Sequence, residues 1–438
     1  MANIKIHIDQ LGLIKDSDIE VSPLMIFSGD SGLGKSYTAM LIHYFYAVLS
    51  NKSPRFTEFF KSIGFDYSER VKQFRNEGEA FRFKKTQLEE WLAVDSLKYL
   101  RYLLNNEQLD GKLSVKLPEA VPQDIIFNYK EELAGLVNKD EVYLLLSGPN
   151  LSYRAGNKRD DNLTDDFESP YSFLLGAELV NLIFGDFRNL TGTYSLPPSR
   201  GPVMTEGITG KTGLYKEFIR QKESLEAAKE STRSSSKDVL NIIRHILEGD
   251  VLRDSNGEYS YVTEDSKRMP LSAAAASIRE LAPLALIAQK ENIRTISILF
   301  EEPEAHLHPQ KQRDAADIIG AFVNTGASMQ ITTHSDYFLR RLNELIFLND
   351  LKEKSQEQFD KYCKEEGINP IVTLDRNKIS AYYLEKRDGF VSIQKENLDK
   401  GIPFKSFKKA IEKNLYTPGK IEDFFEDDEG RNGTYRPI

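Results

Sequence analysis

The chain has 438 residues, enough for two or three average domains or for one continuous α/β core carrying insertions. Charged residues make up 29% and hydrophobic ones 40%, and 58 Lys+Arg against 67 Asp+Glu give a net charge of -9, so no global basic footprint advertises nucleic acid. A single cysteine, Cys363, excludes an intrachain disulfide and a cysteine-built metal site; with no run near the ~18 apolar residues of a membrane span and no signal-like start, the expectation is a soluble cytoplasmic protein without a membrane partner.

Ile4, Ile6 and Ile8 alternate as in a strand, a second short strand lies near Ile19 to Val21, and the apolar run Leu24 to Phe27 leads into a glycine-rich turn and a helix from about Lys35 to Leu49. Residues 51–139 read as a helical insertion, with Trp91, Tyr99 and Tyr102 at helical spacing as packing residues rather than a base-stacking platform. Val142 to Ser147 and Leu151 to Arg154 flank Gly148-Pro149-Asn150 and predict a hairpin. A polar loop from Asn157 to Ser169, a helix from Tyr171 to Phe184 and a strand at Gly192 to Leu196 entering a stiff turn with Arg200 belong to residues 140–205, the remainder of the lobe I that residues 1–50 begin. Leu214 to Glu230 and Asp238 to Leu247 predict two helices of a short arm, residues 206–260, bending at Ser231 to Ser236 and too short for a long coiled coil. In lobe II, residues 261–415, an apolar helix over Leu271 to Lys290 precedes a buried strand at Thr295 to Phe300, a helix at Pro309 to Val323, a strand at Ser328 to Thr333 and a hairpin around Asp388-Gly389. The acidic run Glu426 to Glu429 reads as a solvated tail within residues 416–438.

Two distant segments carry chemistry. Gly29-Asp30-Ser31-Gly32-Leu33-Gly34-Lys35-Ser36 follows a strand and opens a helix, the context a phosphate-binding loop requires. Its glycines let successive N–H groups face phosphates at the positive end of the helix, while Lys35 reaches the β- and γ-phosphates and Ser36 binds Mg²⁺. Tyr37 follows directly and joins the nucleotide-binding set. At Glu301-Glu302 an apolar strand delivers two adjacent carboxylates that alternation points in different directions. Glu301 is assigned to the metal and Glu302 to the general base that polarises water. His334, just beyond the next strand, is placed to contact the γ-phosphate; His306 and His308 lack a third soft ligand and are not read as a metal site.

Together these motifs resemble the ABC-type ATPases of the OLD and AAA_15/AAA_21 group, relatives of the RecF and SMC heads, over most of residues 1–50 and about 190–415. The resemblance implies an α/β P-loop head built from N- and C-terminal segments with helical insertions, ATP and Mg²⁺ as cofactors, Lys35 and Ser36 as Walker A residues, and Glu301 with Glu302 as Walker B and catalytic glutamate. It also implies a D-loop at Ala305 to His308, His334 as the switch histidine, and ATP sandwiched between two copies. The signature helix then reads Leu271-Ser272-Ala273-Ala274-Ala275-Ala276-Ser277, where Ser277 partly substitutes for a serine-rich cap, and slow hydrolysis is expected.

Only 104 residues follow His334, and they read as the closing part of the head rather than a Toprim nuclease. The resemblance then implies an assembly or sensor switch that controls a separate effector protein, a nuclease, in bacterial anti-phage defence, as in Septu, PARIS or retron-associated ATPases. Two other readings stand beside it: a RecF/SMC-like DNA-repair or chromosome-maintenance ATPase that binds duplex directly, and an ATP-bound scaffold with negligible hydrolysis.

Overall fold

The computed structural model describes residues 4–50, 55–65, 77–133, 142–157, 169–184, 190–205, 210–254 and 257–405. The acidic Glu426 to Glu429 run and most of the polar loop expected at Asn157 to Ser169 lie outside them.

The chain begins with a hairpin of β1 (Lys5–Leu11) and β2 (Ile14–Glu20), and β3 (Leu24–Gly29) then runs into α1 (Lys35–Leu49). Residues 51–139, expected to be helical, contribute strands as well: α2 (Arg55–Ser62) and α3 (Lys85–Leu104) alternate with β4 (Glu77–Lys84), β5 (Gly111–Lys116) and β6 (Asp124–Leu133). Phe81, Phe83 and Phe127 explain why. Their alternation puts one aromatic face of β4 and β6 against Phe59, Phe60 and Tyr171, a period-2 pattern that helical spacing elsewhere in the segment concealed. β6 pairs with β7 (Val142–Ser147), and β7 pairs with β8 (Ser152–Asn157), closing a four-stranded sheet in the order β4-β6-β7-β8. Glu178, on α4 (Ser169–Phe184), anchors the hairpin turn by accepting the backbone N–H groups of Asn150 and Leu151 at 2.6 and 2.5 Å.

The second half supplies β9 (Gly192–Leu196), α5 (Gly201–Thr205), α6 (Gly213–Ala227), α7 (Ser234–Leu247), β10 (Gly249–Arg253), β11 (Tyr259–Thr263) and β12 (Arg268–Pro270). α6 and α7 do not project as an arm. Phe218, Leu225, Val239 and Ile243 are buried in the same core as the following lobe, because both helices are amphipathic and that apolar face is covered only by packing inward. The apolar helix α8 (Ala276–Lys290) starts five residues later than its sequence pattern suggests, after a short 3₁₀ turn at Leu271–Ala273. β13 (Ile296–Glu301), α9 (Pro309–Thr325), β14 (Ser328–Thr332), α10 (Asp336–Lys354), α11 (Gln356–Glu366), and the hairpin of β15 (Ile379–Arg387) and β16 (Phe390–Lys395) follow.

Among the described residues the main sheet has nine strands in the order β5-β1-β2-β16-β15-β3-β14-β13-β9, with β15, β3, β14, β13 and β9 parallel. Strands buried on both faces read as unbroken apolar runs, and β3 shows how they serve two cores. Met25 and Phe27 point into the core with α1 and the 51–139 segment, whereas Leu24 and Ile26 point into the core with α8, α9 and α10. Both layers are built by residues far apart in sequence.

A polar staple lies under α1. His43 is fully buried, with Nδ1 3.3 Å from Gln330 Oε1 on β14 and Nε2 3.1 Å from Ser195 Oγ on β9. Burial pushes its imidazole down to about 4, so it is neutral and able to donate to one partner while accepting from the other. The staple fixes the angle at which the helix after the phosphate loop crosses the sheet.

Candidate active site

β3, β14 and β13 are adjacent and parallel, and all three carry their functional residues at the carboxyl ends, where open α/β sheets bind ligands. The glycine loop leaves β3, His334 lies just past β14, and Glu301 ends β13. Thus positions 36, 301 and 334 are neighbours because β14 inserts between the two outer strands.

Gly29, Gly32 and Gly34 hold φ of 138°, 76° and 92°. At Gly29 an added Cβ would stand 2.5 Å from the Leu384 carbonyl oxygen on β15, so the loop needs glycine there both for conformation and for space. Gly34 is the N-cap of α1. Lys35 is buried, and its ammonium donates to the Gly29 and Asp30 carbonyls at 3.1 and 2.8 Å. Desolvation pulls its pKa down to about 8, against the raising influence of Glu302, Glu304, Asp30 and Glu301.

Glu301 is 3% exposed, and burial pushes its carboxyl up to about 7. The Ser36 hydroxyl faces the same carboxylate and opposes the shift, whereas Glu302 adds to it. Glu301 Oε1 is buried without a hydrogen-bond partner, an oxygen donor aimed at a place where a hard cation fits. Ser36 and Glu301 are therefore the residues that would hold Mg²⁺. That ion would supply charge neutralisation at the phosphates.

Glu302 sits one residue past the strand with φ +44°, its N–H donating to the Thr332 carbonyl at 3.1 Å. The turn sends its half-buried side chain into the cleft that Ser31 to Tyr37, Thr332 and His334 also line. His334 is exposed at this cleft, and desolvation and then Lys35 hold its imidazole below the ordinary value. A neutral imidazole there can donate a hydrogen bond to a phosphate oxygen. Ser277 is in the first turn of α8 and is not among the residues lining this cleft. His306 and His308 are exposed on the following turn; among the described residues no cluster of three His, Cys, Asp or Glu side chains is arranged to hold a metal.

Residues to which motif reading gave no role also shape the site. Glu304 Oε1 accepts the Thr333 hydroxyl at 2.9 Å and the His334 N–H at 2.6 Å, and burial raises its pKa. Arg200 is fully buried. It donates to the carbonyls of Glu280 at 2.8 Å, Pro197 at 3.0 Å and Glu301 at 3.2 Å, and stands 4.4 Å over the Phe300 ring. Its partner Glu280, on α8, also accepts the Gly201 N–H at 3.2 Å, so one ion pair joins that helix to the end of β13. Asn106, Gln108, Leu109 and Asp110, between α3 and β5, line the same cleft. Arg200 was visible as a turn residue; neither the role of Glu304 nor that of the Asn106 turn had a local signal.

Residues 209–339 match the family model AAA_15, the AAA ATPase domain. The fold is a mixed α/β one, and this segment of it is similar to an ATPase domain. The matched segment holds Glu301, Glu302 and His334, and the phosphate loop lies outside it, on β3 and α1. Among solved structures, the chain is similar to an SMC head bound to the C-winged helix domain of ScpA, at 11% identity, covering 91% of this chain and 98% of that one with a TM-score of 0.36. It is similar to the SMC head domain from Thermotoga maritima at 11% identity, 91% and 100% coverage and a TM-score of 0.32. An Smc head domain with an extended coiled coil, bound to the C-terminal domain of ScpA derived from Pyrococcus furiosus, gives 11% identity, 94% and 100% coverage and a TM-score of 0.36. No curated protein matches the sequence. No helix among the described residues is long and apolar enough to cross a membrane.

Proposed function

We propose that this protein is a Mg²⁺-dependent ATPase that acts as a nucleotide-controlled assembly switch. The observation that carries this reading is the convergence, in one cleft, of the phosphate loop, Glu302 and His334, with the unpartnered Glu301 oxygen buried behind Ser36 of that loop. Backbone N–H groups of the loop and the Lys35 ammonium bind and orient the triphosphate; Lys35 must leave the Gly29 and Asp30 carbonyls to do so. Glu302 orients the attacking water and accepts its proton, and His334 steadies the γ-phosphate. Two copies close over the nucleotide, with Ser277 of each α8 capping the γ-phosphate bound by the other. The alanine-rich start of that helix supports slow turnover.

On the motif resemblance, the switch controls a separate effector, a nuclease, in bacterial anti-phage defence. Direct duplex binding, as in RecF-type repair ATPases, is the competing reading, and a net charge of -9 weighs against it. The test is purification of the full chain with its genetic neighbours. ATP-dependent association with a nuclease, without salt-dependent DNA binding by the chain alone, is the expected result; duplex binding that weakens with salt, and no associated nuclease, reverses the choice.

A further inference from the structure

The loop that presents His334 and the turn that follows β13 are tied into one closed ring of hydrogen bonds. Glu304 Oε1 accepts the Thr333 hydroxyl at 2.9 Å, and Thr333 Oγ1 accepts the Ser335 N–H at 3.0 Å. The Ser335 hydroxyl donates to Gln312 Oε1 at 2.5 Å, and the Gln312 amide donates to the Leu307 carbonyl at 3.0 Å. The Leu307 N–H returns to the Glu304 carbonyl at 3.1 Å. We infer that Gln312, near the start of α9, is a positioning residue for hydrolysis: it closes this ring and so fixes where the His334 imidazole stands. Gln312 is not among the residues lining the cleft, so it acts through the loop and not on nucleotide; its role rests on the ATPase reading of the same cleft.

Only one orientation of the Gln312 carboxamide satisfies both neighbours. The Leu307 carbonyl can only accept, so the amide nitrogen faces it and the oxygen is left for the Ser335 hydroxyl. That hydroxyl also accepts the Phe338 N–H at 3.1 Å as the N-cap of α10, which leaves its proton for Gln312. The turn needs such a clamp. Glu302 and His306 hold φ of +44° and +61°, left-handed values that residues other than glycine keep only where the surroundings impose them.

Both sides of the ring rest on rigid supports. The Thr333 N–H donates to the Phe27 carbonyl on β3 at 3.0 Å, which fixes one side to the strand that leads into the phosphate loop. The other side is fixed to the α9–α10 pair, where Arg313 holds Glu344 through two bonds at 2.9 and 2.7 Å. Arg341 adds bonds to Asp317 at 2.7 and 3.0 Å and to Glu344 at 2.8 Å, so the two helices move as one body. The ring grips the main chain on both sides of His334, whose own N–H donates to Glu304 at 2.6 Å, and leaves the imidazole to the cleft. Without Gln312, Ser335 is released from α9 and the histidine is held from the Glu304 side alone. A group displaced by about an ångström costs rate more than ground-state affinity.

The test compares the full chain as wild type, Gln312→Ala, Gln312→Met and Gln312→Glu, by steady-state Mg-ATP hydrolysis and by titration of Mg-ATP binding; thermal melting identifies the variants that fold. Met fills the space of Gln without hydrogen bonds. An ionised Glu accepts from Ser335 but cannot donate to the Leu307 carbonyl, whereas a protonated one does both. The expected result is a kcat lower by about tenfold or more in Ala and Met, with Mg-ATP affinity within about twofold of wild type. The Glu variant should show the same deficit at high pH and recover relative to wild type as pH falls, and it decides alone if Ala and Met do not fold. Wild-type kcat in Met or in ionised Glu overturns the inference, as does an equal fall in kcat and affinity, or a Glu deficit that pH leaves unchanged. Each of these leaves the ATPase reading standing, because the wild type still hydrolyses; a wild type that neither binds nor hydrolyses Mg-ATP overturns both.

Discussion

Glu304 Oε1 accepts the His334 backbone N–H at 2.6 Å, so a carboxylate from the turn after β13 fixes the loop that presents the histidine after β14. The bond acts on the main chain and therefore sets where the imidazole starts, without touching substrate. Removing it in Glu304→Ala should lower kcat by about 10- to 100-fold with little change in KM, since a hydrogen bond to a charged group is worth roughly 1.5–3 kcal/mol. Glu304→Gln keeps an acceptor oxygen and should recover most of the loss. Steady-state kinetics of the two variants checks this; an Ala variant with wild-type kcat rules the coupling out.

Glu302 and Lys35 separate hydrolysis from binding. Glu302→Gln preserves the shape of the cleft but removes the base, and kcat should fall by about 10²- to 10⁴-fold while an ATP-bound assembly accumulates. Lys35→Ala should abolish nucleotide binding. Size-exclusion chromatography with ATP, beside a phosphate-release assay, distinguishes them. Should Glu302→Gln hydrolyse and function like the wild type, the scaffold reading gains and the switch reading fails.

The Glu301 carboxyl, pushed up to about 7 by burial, sets a pH dependence whose sign follows from proton binding. Its folded-state pKa lies above the ordinary 4.5, so without metal the native state holds the extra proton between those values. This group's contribution to stability is therefore present at low pH and is lost as pH rises through about 7. Mg²⁺ needs the ionised form, so stabilisation by Mg²⁺ should grow over the same interval. Melting curves in magnesium and in chelator across this range give the measurement, and Glu301→Gln should flatten both trends.

Arg200 and Glu280 make a buried ion pair whose loss leaves an uncompensated charge. Arg200→Ala should destabilise the protein by about 3–5 kcal/mol, whereas Arg200→Met/Glu280→Met should cost much less because neither charge remains. Urea denaturation of both variants decides. A destabilisation below about 1 kcal/mol in the single variant shows that the pair is not what ties α8 to β13.

Much of the fold is legible in the sequence because its signals are short-range. The glycine pattern dictates a backbone that only glycine adopts comfortably, the apolar runs at Leu24 to Phe27 and Ile296 to Phe300 have the continuity of strands buried on both faces, and α1 begins and ends where periodicity places it. Residues 51–139 were harder, since helical spacing around Trp91 and Tyr99 hid the strand period of Phe81, Phe83 and Phe127.

What the sequence determined by itself, then, is the local chemistry: a loop shaped for phosphate, two adjacent carboxylates and a histidine at a strand end. Tertiary structure alone decided who meets whom. The insertion of β14 between β3 and β13 joins positions 36, 301 and 334, the pairing of β5 with β1 carries Asn106 and Gln108 to the cleft, and a buried Arg200 links α8 to the end of β13. Such meetings depend on strand order and on which faces must be buried, and no window of the chain encodes either one.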